Sequence, residues 1–436
     1  MKRSGSADLP LHYGTIPPWL ADRMMKLGTA MVEAVIADAG TDEVLRRLSD
    51  PCWFQAFGAV LGMDWHSSGI TTSVMRAIQR GINPRSKELG LAVLGGRGKY
   101  SRQTPQELIE YSMKTGLSGD ELTRVSRLTA KIDNSCLQDG FQIYLHNFII
   151  TEDGKWAVVQ QGMNKQTGTA RRYHWHSEGL RSFFDDPHAA VVGPFQGELV
   201  NLSDSRAEQN RSGILEFMNE YPERQQRELD SLLRSRRIVL PSHHEVKPED
   251  VISKRLGAVL SAAWDKNFSD FSEALLMQGV GPRTVQSLAL VSEVIYGGPS
   301  RFTDPARFSF AHGGKDGHPA PVPLKVYDKS ISVVKRALED AKTDKAGKLS
   351  GIKNLDRFTR WIESTVAPDA DVDEVIAHEW ENSHRWGGQT VMGRAVPGDS
   401  YEKHSLRYQG SSGRTKSPVP ARSVQNDDNR QMELFD

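Results

Sequence analysis

A chain of 436 residues leaves room for two or three domains, and 55 Lys and Arg against 55 Asp and Glu exclude a global polycation. Any nucleic-acid surface must therefore be a local patch. Two cysteines, Cys52 and Cys136, exclude a disulfide framework and a zinc site of several thiolates, which points to a reducing cytoplasm. Residues 1–10 lack the apolar core of a signal peptide, and no apolar run is long enough to span a bilayer. The expected setting is thus cytoplasmic and nucleoid-associated, with no membrane.

Pro18 through Gly81 is expected to be helical, with Thr41 or Asp42 capping one helix and Thr71 or Thr72 another. Leu91 to Tyr100 is apolar and then turns into a basic glycine loop holding Arg97 and Lys99. From Arg76 to Arg102 there are seven basic residues and one acidic. Arg97 and Lys99 are candidates for a phosphate contact, and equally for a solvated basic face. Helices are expected at Thr104–Met113 and Ser118–Lys131.

Phe141–Ile150 and Lys155–Met163 read as two strands joined by Asp153-Gly154, a two-residue turn signal. That turn pairs Glu152 with Lys155 and sets His146 opposite Gln161, on a face shared with Gln142 and Tyr144. A third strand is expected at Ala189–Pro194. Helices then follow near Glu208–Asn219, Arg224–Ser235, Lys247–Trp264 and Ser330–Ala341. Beyond about Ala367 the composition is that of a disordered tail.

The expected fold class is α+β. Residues 1–200 would form a mixed domain with a small sheet around hairpin 141–163. Residues 201–365 would form a helical domain, and 366–436 a disordered tail.

The stretch from Phe271 to Leu290 resembles a helix-hairpin-helix, spanning about 270–297. Gly279 and Gly281 permit a tight turn and close approach to a partner. Val280 plugs the gap between the helices, and Pro282 can start the second helix. The N–H groups of Gly281, Arg283 and Thr284 then form a phosphate site at a positive helix end, with the Arg283 charge beside it. Such contacts hold DNA backbone without reading sequence.

The segments Asp64-Trp65-His66-Ser67-Ser68-Gly69, Gln138-Asp139-Gly140, Gln160-Gln161-Gly162-Met163 and Ser309 to Gly317 resemble the domain-of-unknown-function family numbered 763, over roughly Leu11 to Arg360. The resemblance carries an association with nuclease activity.

Candidate catalytic residues are Asp64, His66, Asp133, Asp139, His146 and Gln161. Asp64, Asp139 and His146 are the expected ligands of Mg²⁺ or Mn²⁺, which suit carboxylate and imidazole donors. Such a metal would polarise a phosphodiester and lower the pKa of an attacking water. The leading reading is a metal-dependent DNA nuclease in repair or replication-linked processing. One alternative is a glycosylase or lyase using Asp304. Another is a non-catalytic DNA-binding adaptor.

Gln431, Met432, Leu434 and Phe435 lie in a hydrophilic stretch and resemble the short peptide by which bacterial repair and replication enzymes dock on the sliding clamp. Leu434 and Phe435 would supply its apolar anchor.

Overall fold

A computed structural model of the chain describes residues 9–10, 16–63, 68–194, 196, 199–234, 254–301, 304–306, 332, 334–342, 344–365, 381, 389–390 and 393–394. It is α+β, with an antiparallel sheet between two helical layers.

The helices before the sheet are α1 (Pro18–Ser49), α2 (Pro51–Val60), α3 (Gly69–Ile82) and the single turn α4 (Ser86–Leu89). Asp50 separates α1 from α2 because its carboxylate accepts the N–H groups of Cys52 and Trp53 at 2.8 and 3.2 Å, and Pro51 presets the first turn. Strand β2 (Leu91–Arg97) comes next, then α5 (Thr104–Thr115) and α6 (Gly119–Lys131). The last turn of α6 widens into a π-helical segment, Ile132–Cys136.

Strands β3 (Gln142–Thr151), β4 (Trp156–Asn164), β5 (Thr169–His176) and β6 (Ala190–Val192) complete the sheet with β1 (Leu9–Pro10). The order is β1-β5-β4-β3-β2, and β6 also pairs β5. Helices α7 (Glu208–Met218), α8 (Pro222–Arg234), α9 (Lys254–Trp264), α10 (Phe271–Leu276) and α11 (Pro282–Tyr296) follow. The last helices are α12 (334–340) and α13 (Lys345–Thr365). Within the tail, Gln389–Thr390 pairs with Gly393–Arg394.

Two corrections concern the sheet. Leu91–Arg97, expected as an apolar lead-in to a loop, is a strand paired with β3 along its whole length. The β3–β4 register also differs by one residue. Thr151 N–H bonds Lys155 O at 3.0 Å and Ile150 lies opposite Trp156, so the connection has three residues, 152–154. Gly154 takes a left-handed φ of 86° there, a conformation that costs glycine nothing. His146 therefore faces Gln160, not Gln161. Because side chains alternate, this one-residue slip moves Gln161 to the other face of the sheet.

Each face carries its own core. Leu91, Val93, Ile149, Ala157 and Val159 pack under α1, α2 and α3, with Val334, Leu338 and Leu355 joining them. Ala92, Leu94, Phe148, Ile150, Trp156, Val158 and Trp175 pack under α5, α6 and the helices from α7 to α11. This second core runs continuously across residue 200. Among the described residues, no helix is long and apolar enough to cross a membrane.

Candidate functional site

Polar side chains interrupt both cores at the sheet's centre. The first group lies on the α6 side. The π-helical segment carries Asp133 inward, fully buried, where it accepts from Trp175 Nε1 at 2.9 Å, from Gln160 Nε2, and pairs with His188 Nε2 at 2.5 Å. Gln160 Oε1 meets His146 Nδ1 at 2.7 Å, and His146 Nε2 meets Ser126 Oγ at 2.9 Å. Gln160 also donates to Thr129 O at 3.1 Å. Its amide nitrogen thus faces Asp133 and its oxygen faces His146. His146 must then carry its proton on Nδ1 and accept from Ser126. Burial pushes the imidazole pKa down, so this neutral tautomer is the stable form.

A second group lies farther along the same face. Arg171 reaches Asp139 Oδ2 at 3.0 Å and both oxygens of Asp304 at 3.0 and 2.8 Å. Tyr173 OH donates to Asp139 Oδ2 at 2.7 Å. Burial raises the Asp139 pKa to about 6, although Arg171, Tyr173 and the Phe141 N–H all act to lower it. Asp304 further accepts from the N–H groups of Gln196 and Ala306 at 2.7 and 2.8 Å. With every oxygen engaged, Asp304 is a structural clasp, and its geometry does not favour the glycosylase alternative.

Asp139 and His146 therefore sit in separate networks with their ligand atoms already bonded, and the pair does not fit a shared Mg²⁺ or Mn²⁺ ion. Among the described residues, no group of three His, Cys, Asp or Glu side chains could hold a metal. Asp64 and His66 lie outside the described residues, as do Gln431, Met432, Leu434 and Phe435.

The third group is on the α3 side. Gln161 Nε2 donates to Ser68 O at 2.9 Å and to Tyr144 OH, while Gln161 Oε1 accepts from Thr71 Oγ1. A register shift between Ile143 and Leu145 places Tyr144 with Gln161. Beside them lies Arg172, wholly buried, its guanidinium 4.5 Å from the Phe54 ring centre. Arg172 Nε donates to His174 Nε2 at 2.8 Å, and His174 Nδ1 meets Leu48 O at 2.9 Å. His174 is thus held neutral. Burial first, then the Arg172 charge, push its pKa well below the usual imidazole range.

Arg172 escaped the sequence reading, and Thr71, expected as a helix cap, instead lies buried inside α3 and bonds Gln161. The available signal was Arg171-Arg172 inside an apolar strand, where a charge is expensive unless paired.

The glycine turn behaves differently. Asp270 caps α10 through the Glu273 N–H at 2.9 Å. Gly279 has a left-handed φ of 93°, Val280 is buried, and Pro282 opens α11. No side chain caps α11 and its first turn has no acid. Arg283 is exposed, whereas Thr284 turns inward and donates to Gly279 O at 3.3 Å. Arg97 and Lys99 are exposed on the β2 loop, with Arg97 stacked 5.7 Å from the Tyr144 ring centre.

A family model described as "Protein of unknown function (DUF763)" matches residues 5–322. No solved structure matches the chain.

Proposed function

We propose that this chain, which belongs to the DUF763 family, holds nucleic-acid backbone at the turn between α10 and α11. The observation that carries the reading is the uncapped start of α11. It lacks an acid in its first turn, and Arg283 is exposed beside it. Uncapped N–H groups at a positive helix end favour an anion, and phosphate oxygens match them in geometry and charge. A Cβ on Gly281 would meet nothing within 4 Å, so the turn is open to a partner's close approach. Buried Val280 and the bond from Gln138 Nε2 to Pro282 O, 3.0 Å, fix this turn against the rest of the fold.

Contacts of this kind are to backbone, so affinity should depend on salt and little on sequence. The test is a titration of fluorescent single-stranded, duplex and flapped DNA at several salt concentrations. Mg²⁺, Mn²⁺ and EDTA arms would read out cleavage. Binding that weakens with salt and is reduced in R283E supports the reading. Equal affinity of R283E and wild type removes it. Metal-dependent product in the same tubes would extend the proposal from a backbone grip to a nuclease.

A further inference from the structure

Strand β2 ends in a knuckle that holds cations and an aromatic ring in water. From Arg97 to Gln106 the sequence has three cations, Arg97, Lys99 and Arg102, one aromatic residue, Tyr100, and no acid. All four of these side chains are exposed. The rest of the basic run is different. Arg80 pairs with Asp22, and Arg85 with Glu33 and Glu88, so those charges serve the fold. In the knuckle the cations lie over rings instead. Arg97 is 5.7 Å from the Tyr144 ring centre and Lys99 Nζ is 5.3 Å from that of Tyr100. Lys99 and Arg102 meet no carboxylate among the described residues. Glu107, the first acid after the knuckle, is taken up by the Gly95 N–H at 2.6 Å.

The backbone fixes this display. Gly95 has a φ of 88°, and a Cβ there would strike His146 O, so glycine lets β2 bend against β3. The Gly98 N–H then bonds Tyr144 O at 2.8 Å. Ser101 Oγ donates to Gly98 O at 2.6 Å, and the N–H groups of Arg102 and Gln103 reach Lys99 O and Tyr100 O at 3.2 and 3.0 Å. Thr104 Oγ1 closes the turn on Ser101 O at 3.1 Å. Tyr100 is thus held at 45 % exposure on a tied loop. A planar partner stacked on that ring would remove its apolar face from water, while Lys99 and Arg102 flank it with positive charge.

We propose that this knuckle is a contact site for single-stranded nucleic acid, with a base stacked on Tyr100 and the neighbouring phosphates met by Lys99 and Arg102. Arg97 adds charge from the Tyr144 side. Planar bases joined by anionic links match a ring set between cations. A duplex keeps its base faces stacked on one another, so the ring selects an unpaired strand. One ring is too little apolar area to anchor a lipid surface. The knuckle belongs to a different segment from the turn before α11, and the inference does not rest on the grip proposed there.

The test is anisotropy titration of the full chain with a fluorescent single strand, its duplex, and an abasic strand that keeps the phosphates but has no bases. Y100A should weaken single-strand binding about tenfold and leave the abasic strand unchanged. Y100F and Y100W, which keep a ring, should bind as the wild type does. K99A with R102A should weaken the normal and abasic strands alike and lower the single-strand salt slope by about 1.4. Circular dichroism melts of each variant should match the wild type, because these side chains are exposed. DNA and RNA versions of the strand, titrated side by side, identify which is preferred. Unchanged single-strand affinity in Y100A, or an equal loss on the abasic strand, would overturn the proposal. A loss in R283E with none in Y100A would overturn it and leave the α11 grip standing, and a loss in Y100A with none in R283E would do the reverse. Binding to anionic phospholipid vesicles that Y100A abolishes, with oligonucleotide affinity unchanged, would assign the knuckle to a membrane surface and overturn it as well.

Discussion

Arg171 grips Asp304 through two parallel bonds of 3.0 and 2.8 Å, joining strand β5 to a residue 133 positions later. Both side chains are fully buried. The same guanidinium holds Asp139, so one cation serves two carboxylates. The pairing fixes residues 304–306 against the sheet.

Removing that cation should be costly. R171M leaves two buried carboxylates uncompensated, and the expected loss is about 3–5 kcal/mol. D304N keeps much of the shape and should lose less. Urea denaturation midpoints at constant m would measure both. A loss below about 1 kcal/mol for R171M would show that the triad contributes little.

Asp139 should make stability depend on pH. Its carboxyl is raised to about 6 in the folded chain, from an ordinary value of 3.8. The folded state therefore binds the proton more tightly than the unfolded state. The associated stabilisation is complete below pH 3.8 and is lost as pH rises through about 6, on the order of 3 kcal/mol. D139N should flatten this part of the stability profile. Wild-type and D139N profiles of equal slope between pH 4 and 7 would refute the assignment.

The two glycines of the turn should behave differently. Gly279 has a φ of 93°, and a Cβ there would lie 3.0 Å from Val259, so G279A should cost about 1–2 kcal/mol of stability. Gly281 has φ −115° and open space around it. G281A should therefore fold normally, and its effect should appear in nucleic-acid affinity. R283E should weaken binding to all sequences alike and lower the salt slope by about 1. Circular dichroism melts beside anisotropy titrations would separate these outcomes.

His146 should be structural. H146A would strand Ser126 and Gln160 inside the core and cost about 2–4 kcal/mol. H146N or H146Q, which can bond one neighbour, should recover part of that loss. A normal melting temperature in H146A, with a lost activity, would instead place His146 in chemistry.

The clamp-like peptide, Gln431 to Phe435, can be tested in isolation. A peptide of residues 427–436 should bind purified bacterial sliding clamp with roughly micromolar affinity, on the order of −8 kcal/mol. Replacing Leu434 and Phe435 by Ala should abolish binding. Binding indifferent to that change would discard the partner.

The sequence by itself determined much of the local structure. Apolar spacing and caps placed α5, α6 and α7 within two residues of their ends, because helix periodicity and capping are local properties. The β3–β4 hairpin and the glycine turn before α11 were legible for the same reason. The tertiary structure decided what those elements do. Asp153-Gly154 signalled a two-residue turn, but Thr151 pairs with Lys155, and that single residue assigned Gln160 and Gln161 to opposite faces. Arg171 and Arg172 look alike in sequence. Alternation sends one toward Asp139 and Asp304 and the other toward Thr71 and His174, and only the packed sheet shows which charge is met. Asp304 is far from Arg171 along the chain, and no local pattern encodes a contact over that separation. Burial and long-range pairing are properties of the packed layers, so the partners of each arginine had to come from the fold.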